Sequence, residues 1–152
     1  MKKITPFLWF ETQDAEEAMN YYVSIFKNSK VLGVNRGPDG KAFTVSFELD
    51  GQEFMALNAG PMYTFNEAVS MYVNCEDQAE VDYFWSKLSA VPESESCGWC
   101  KDKFGLTWQI IPKQLNDYIS GPDPVKAQRG MQAMLQMQKL IIADLKKAYD
   151  GE

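Results

Sequence analysis

The chain has 152 residues, 45% hydrophobic and 24% charged, with a formal net charge of −6. That balance excludes disorder, and an acidic surface repels phosphate backbones, so no nucleic-acid partner is expected. No apolar run approaches the ~20 residues of a membrane helix, and the opening stretch is too short, and broken by Pro6, to be a signal peptide, so no membrane association and a cytoplasmic location are expected.

Ile4–Phe10 is apolar and aromatic and predicts a strand. A helix over Asp14–Phe26 follows, with Ala15, Ala18, Met19, Tyr22, Ile25 and Phe26 at helical spacing. Asp14 is the expected N-cap, and Glu17 completes a capping-box pattern. Val31–Val34 predicts a short strand, and Gly37-Pro-Asp-Gly40 a turn. In Phe43–Leu49, Val45, Phe47 and Leu49 alternate with Thr44, Ser46 and Glu48, a strand with two different faces. Asp50-Gly51 is a two-residue hairpin signal leading into the strand Glu53–Leu57.

The order then recurs. Ala68–Asn74 predicts a strand, Asp77–Leu88 a helix, Pro92–Ser96 a break, Gly98–Lys101 a strand, and Leu106–Ile111 a strand ending at Pro112. Tyr21-Tyr22 with Ser24 and Phe26 is echoed by Tyr83-Phe84 with Ser86 and Leu88, and Gly51 before Phe54 by Gly105 before Trp108. The inference is an α+β domain of two βαβββ modules, residues 1–60 and 67–112, with a helical extension over 113–152. In that extension Asp123 and Pro124 are placed to start one long helix carrying Val125, Met131, Met134, Leu135, Leu140, Ile141, Leu145 and Tyr149 near one stripe.

Four segments resemble the PhnB-like branch of the glyoxalase/bleomycin-resistance (vicinal oxygen chelate) superfamily, often labelled demethylubiquinone methyltransferase-like. They are Ile4–Phe10, Thr44–Asn58, Cys97–Pro112, and Asp123–Arg129 running into Met131–Leu140. The resemblance implies paired modules forming a cupped eight-stranded mixed sheet, a site inside the cup, and a homodimer. It also implies, for metal-dependent relatives, one metal ligand from the first and last strands of each module. The last-strand positions, counted from the hairpin glycines, are Met55 and Gln109; the first-strand positions are Phe7 and Val69, with Pro6, Ala68 and Ser70 within one residue. Of these only Gln109 offers a credible oxygen, and one amide cannot replace the three or four His, carboxylate or thiolate ligands a transition metal requires. No metal or other cofactor is expected. A methyl donor normally sits on a Gly-rich turn between strand and helix, and the sequence has none.

With no histidine in the chain, Ser-His and Cys-His chemistry is excluded. Cys97-Gly-Trp-Cys100 invites a redox reading, but a turn into a strand follows it where thioredoxin-type chemistry needs a helix N-terminus, and three cysteines without histidine make a poor zinc site. An inward Gln109 brings Thr107 and Ile111 to its face by strand alternation. Leu8, Phe10, Ser46, Glu48, Met55, Leu57, Ser70, Tyr72 and Gln109 are then the expected ligand-binding residues, while Trp9, Trp99 and Trp108 pack under helices. Gln109 could equally be a buried amide satisfying its neighbours, and the apolar set could simply be core. Glu48 and Glu67 are the carboxylates expected near the cup mouth, as rim charges or as a general base. The methionines of the tail could form an adaptable lid or a structural helix. Three functions remain open: a non-catalytic binder of small organic molecules, a metal-independent lyase or isomerase, and a structural dimer with a filled cup.

Overall fold

The computed structural model describes residues 2–152, and the chain divides into two units, Met1–Phe65 and Asn66–Glu152. Unit one contains β1 (Phe7–Phe10), α1 (Ala15–Ile25), β2 (Lys30–Arg36), β3 (Ala42–Leu49) and β4 (Gln52–Asn58), in a sheet ordered β1-β4-β3-β2. β1 runs parallel to β4 and the other pairs are antiparallel. Asp50 and Gly51 both take positive φ, 48° and 80°, so the hairpin turn twists with the strands it joins. On β3 the expected alternation is observed: Val45, Phe47 and Leu49 are buried, and Thr44, Ser46 and Glu48 are half-buried. Helix α1 buries Ala15, Ala18, Met19, Tyr22 and Ile25, and packs against β3 and β4. Each large apolar side chain so buried contributes roughly 1.5–3 kcal/mol.

The start of α1 departs from expectation. Asp14 stands at the N-cap position, but its side chain makes no capping hydrogen bond. Instead Asn58, at the end of β4, accepts from Ala15 N at 2.8 Å and donates through Nδ2 to Ala42 O at 3.0 Å. One amide thus ties the helix start to two strands, satisfying a free helical N–H from a distant part of the sequence.

Unit two contains β5 (Met71–Cys75), α2 (Gln78–Leu88), a short 3-10 turn (Pro92–Ser94), β6 (Trp99–Lys101) and β7 (Thr107–Pro112), then α3 (Leu115–Ile119), α4 (Pro124–Leu135) and α5 (Ile142–Asp150). The sheet order is β5-β7-β6, with β5 parallel to β7. The modules agree down to side-chain hydrogen bonds: Ser24 Oγ donates to Tyr21 O at 2.6 Å, and Ser86 Oγ to Tyr83 O at 2.7 Å. They differ in strand number. The described residues form sheets of four and three strands, and where β2 would recur the chain makes the 3-10 turn and a single bridge between Ser96 and Trp99. Pro92 opens that segment, and proline has no N–H to give a ladder. The first-strand prediction Ala68–Asn74 also starts too early, since 68–70 lie before β5.

Asp102 closes the turn into β7. It is 1% exposed and accepts from Phe104 N (2.8 Å), Leu106 N (3.0 Å) and Trp108 Nε1 (2.8 Å), the donors a buried carboxylate requires.

The single long helix expected in the tail is two helices. Asp123 caps α4 as anticipated, accepting from Val125 N and Lys126 N, with Pro124 in the first turn. The break follows from competition for carbonyls. Cys97 N donates to Met137 O at 2.7 Å and Gly98 N to Gln138 O at 2.8 Å, so these oxygens serve the β6 hairpin rather than a continuing helix. Gln78 brackets the same segment, donating to Leu140 O and accepting from Ile142 N, while Leu140 is fully buried.

Gly130 marks the closest approach of α4 to α3: a Cβ built there would stand 1.7 Å from Tyr118 O. Gly130→Ala is therefore expected to lower unfolding stability by ~1–3 kcal/mol or more through overpacking. Urea titration measures this, and an unchanged midpoint would contradict the close α3–α4 contact.

Candidate functional site

In each unit the helix after the first strand packs against the sheet, α1 on β3 and α2 on β7, and strand parity decides which residues face that helix and which face away. In unit one the register pairs Met55 with Phe7 on one side and Ser46 on the other, and Leu57 with Trp9 and Thr44. These residues share the face turned away from α1 with Glu48, whose register partners are Lys30 and Glu53. Trp9 Nε1 donates to Gly60 O at 2.9 Å, and its ring meets Tyr63 edge-on at 4.9 Å. Asn35 Nδ2 donates to Thr44 Oγ1 at 2.9 Å. The face is thus an aromatic and thioether strip bordered by hydroxyl and amide groups.

Leu8 and Phe10 do not belong to this face. They alternate with Phe7 and Trp9, align with Ala56 and Asn58, and are 7% and 1% exposed within the core. The expected set had β1 one residue out of register, and a one-residue slip moves every side chain to the opposite face. Trp9, expected under a helix, takes the open face for the same reason.

In unit two Tyr72 and Trp99 both align with Gln109, one on each side of it, and Lys101 aligns with Thr107. Gln109 Nε2 donates to Ser70 Oγ at 2.9 Å. Ser70, Tyr72 and Gln109 are therefore brought together as expected, with Thr107 and Ile111 on the same face by alternation. Trp99 joins them, against expectation, whereas Trp108 packs on the helix side and bonds Asp102. The face of Trp99 was legible in principle, because a hairpin onto β7 makes it the partner of Gln109. Val69 is not a first-strand partner: it precedes β5 and is exposed, and Tyr72 holds the position opposite Gln109 that Phe7 holds opposite Met55.

Lys101 Nζ reaches Glu67 Oε1 at 2.7 Å, and that hydrogen bond, first among the causes, holds the Glu67 carboxyl below its ordinary value. A general base working near neutrality needs the opposite shift. The Thr107 hydroxyl is buried without a hydrogen-bond partner. The three thiols are free; Cys75 and Cys100 are buried, and burial pushes both up to about 12. Cys97 lies in a two-residue turn with positive φ at both Cys97 and Gly98, outside any helix N-terminus, so the redox motif lacks its activating geometry.

The family model described as 3-demethylubiquinone-9 3-methyltransferase matches residues 2–111. The chain belongs to this family. It is the PhnB-like branch of the glyoxalase superfamily, and a PhnB protein from Bacillus cereus is similar at 36% identity and a TM-score of 0.64, over 73% of this chain and 99% of that one. A Pseudomonas aeruginosa protein (17% identity, TM-score 0.54, 74% and 98% of the two chains) and an Arabidopsis thaliana gene product (20%, 0.50, 72% and 97%) share the fold. A comparison with curated proteins finds no match.

Neither group that such relatives imply fits the PhnB-like residues present. The four metal-ligand positions, by register, hold Phe7, Met55, Tyr72 and Gln109, and among the described residues no three Cys, Asp or Glu side chains converge. The strand-to-helix connections, Glu11–Asp14 and Glu76-Asp77, contain no glycine to seat a nucleotide-like methyl donor.

Native protein at about pH 8 should release one thiol rapidly to a disulfide reagent, from Cys97. Cys75 and Cys100 should react only on unfolding, since burial disfavours their thiolates. The same raised values mean that these thiols favour the folded state below the unfolded thiol pKa, and that this contribution fades as pH rises from about 9 toward about 12. Rapid release of all three would contradict the placement.

Proposed function

We propose that this chain is a small-molecule-binding protein that works without a metal centre, holding an organic ligand on the sheet faces turned away from α1 and α2 and acting as a cytoplasmic homodimer. The chemistry of the four register positions carries the reading. A phenyl ring, a thioether, a phenol and an amide replace the ligands a metalloenzyme would need, and they suit burial, stacking and orientation of an organic molecule. Glu67, one of the two carboxylates considered as a general base, is engaged by Lys101 at 2.7 Å, which disfavours it in that role. The net charge of −6 speaks against a nucleic-acid partner, and among the described residues no helix is long and apolar enough to cross a membrane.

Native mass spectrometry of tag-free protein reads the assembly and the metal together. The expected species is a dimer of the 17.3 kDa chain carrying no divalent ion. One metal per chain, lost on Gln109→Ala, would overturn the metal-free reading, and a monomer at micromolar concentration would remove the dimer.

Binding itself is tested by screening uncharged aromatic fragments against isotopically labelled protein. Saturable amide shifts are expected along Phe7–Trp9, Thr44–Glu48, Met55–Leu57, Tyr72 and Gln109. Shifts confined to the tail helices, or none with any fragment, would sink the proposal.

A further inference from the structure

The structure points to a ligand class for the unit-two face, an inference that rests on the small-molecule reading above. We propose that the row Tyr72–Gln109–Trp99, with Ser70, recognises an uncharged planar aromatic molecule carrying a hydrogen-bond donor and an acceptor side by side, as a cyclic amide does.

The register sets the three side chains in line across β5, β7 and β6. Neighbouring strands lie ~4.8 Å apart, so the two rings flank the amide over ~10 Å, about the width of a fused two-ring system. The Tyr72 side chain is already available, at 55% exposed. A flat ligand can lie against either ring while its edge meets the amide.

The amide is held in one orientation. Its Nε2 is used by Ser70 Oγ at 2.9 Å, which leaves Gln109 Oε1 as an acceptor and the Ser70 hydroxyl proton as a donor. Among the described residues neither has another hydrogen-bonding partner. An adjacent acceptor and donor complement a ligand edge with N–H beside C=O. Thr107, next but one to Gln109 along β7, is 2% exposed with its hydroxyl unpartnered, so recognition on this face falls to Gln109 and Ser70.

Charge narrows the class. Lys101 is the charged residue of this face, and Glu67 already neutralises it at 2.7 Å. An anionic ligand would have to displace that carboxylate, whereas an uncharged one leaves the pair intact.

The probe is isoindolinone, a planar bicyclic cyclic amide, compared with N-methylisoindolinone, which lacks the donor, and indene, which lacks both polar groups. Two-dimensional NMR should show saturable isoindolinone binding by about 10 mM, the affinity range of a fragment this small. Shifts should centre on the Gln109 side-chain amide and the Trp99 indole N–H. Both control compounds should bind severalfold more weakly. Gln109→Leu should weaken isoindolinone about tenfold, the loss of one to two hydrogen bonds, without changing indene. If Gln109→Leu fails to fold, Ser70→Ala serves, with a severalfold loss expected. Equal binding of the three compounds, indifference to both substitutions, or no saturation would overturn the inference. Lactam shifts confined to Phe7–Trp9 and Met55–Leu57 would overturn it too, while leaving the broader small-molecule reading in place. Silence from every fragment would remove both.

Discussion

A β-strand presents its side chains alternately to two faces, and in each unit the residues after the hairpin glycine decide which face is core. From Gly51, Phe54 and Ala56 turn toward α1, and Met55 and Leu57 turn away. From Gly105, Trp108 and Ile110 turn toward the core, and Gln109 turns away. The glycines, at φ of 80° and 91°, take a left-handed conformation that ordinary residues rarely adopt, so the register of β4 and β7 is anchored at its first residues. Which residues join the core beneath each helix, and which turn to the opposite face with Met55 and Gln109, follows from that parity.

Around this constraint the two units solve the same local problems with different groups. The first helix takes its terminal hydrogen bond from Asn58, far along the chain, whereas α2 takes one from Asp77, which accepts from Glu80 N at 2.9 Å. Unit one closes its last hairpin with two residues; unit two uses a longer turn around Asp102 and its three donors. That carboxylate also fixes the indole of Trp108, which keeps β7 seated and leaves Gln109 free to serve the other face.

The residues at the four register positions are poor metal donors, and the proposed organic recognition rests on that same chemistry. Thioether, ring and amide groups bind transition metals poorly but stack, bury area and orient a ligand well. A family whose description mentions methyl transfer can therefore include a chain whose residues fit neither a methyl donor nor a catalytic metal. Fold similarity carries the scaffold, and the side chains on it carry the chemistry.

Much of this was legible from residues alone. The period of Val45, Phe47 and Leu49, the Asp50-Gly51 turn and the stripe of α1 are local patterns, and they were enough for the fold class and the family resemblance. They also placed Ser70, Tyr72 and Gln109 on one face. What failed was long-range. Leu8 and Phe10 could not be told from Phe7 and Trp9 by pattern, because all four are apolar and only the parallel pairing with β4 sets their parity. Asp14 resembled a cap, yet Asn58 arrives to do the work. The tail had the periodicity of one helix, but the N–H groups of Cys97 and Gly98 claim two of its carbonyls. Periodicity and turn chemistry are properties of neighbouring residues, so the sequence by itself determined the elements and their two-faced character. Which face each strand of uniform hydrophobicity shows, and where a helix must stop, depend on hydrogen bonds between distant segments, and only the tertiary structure decided those.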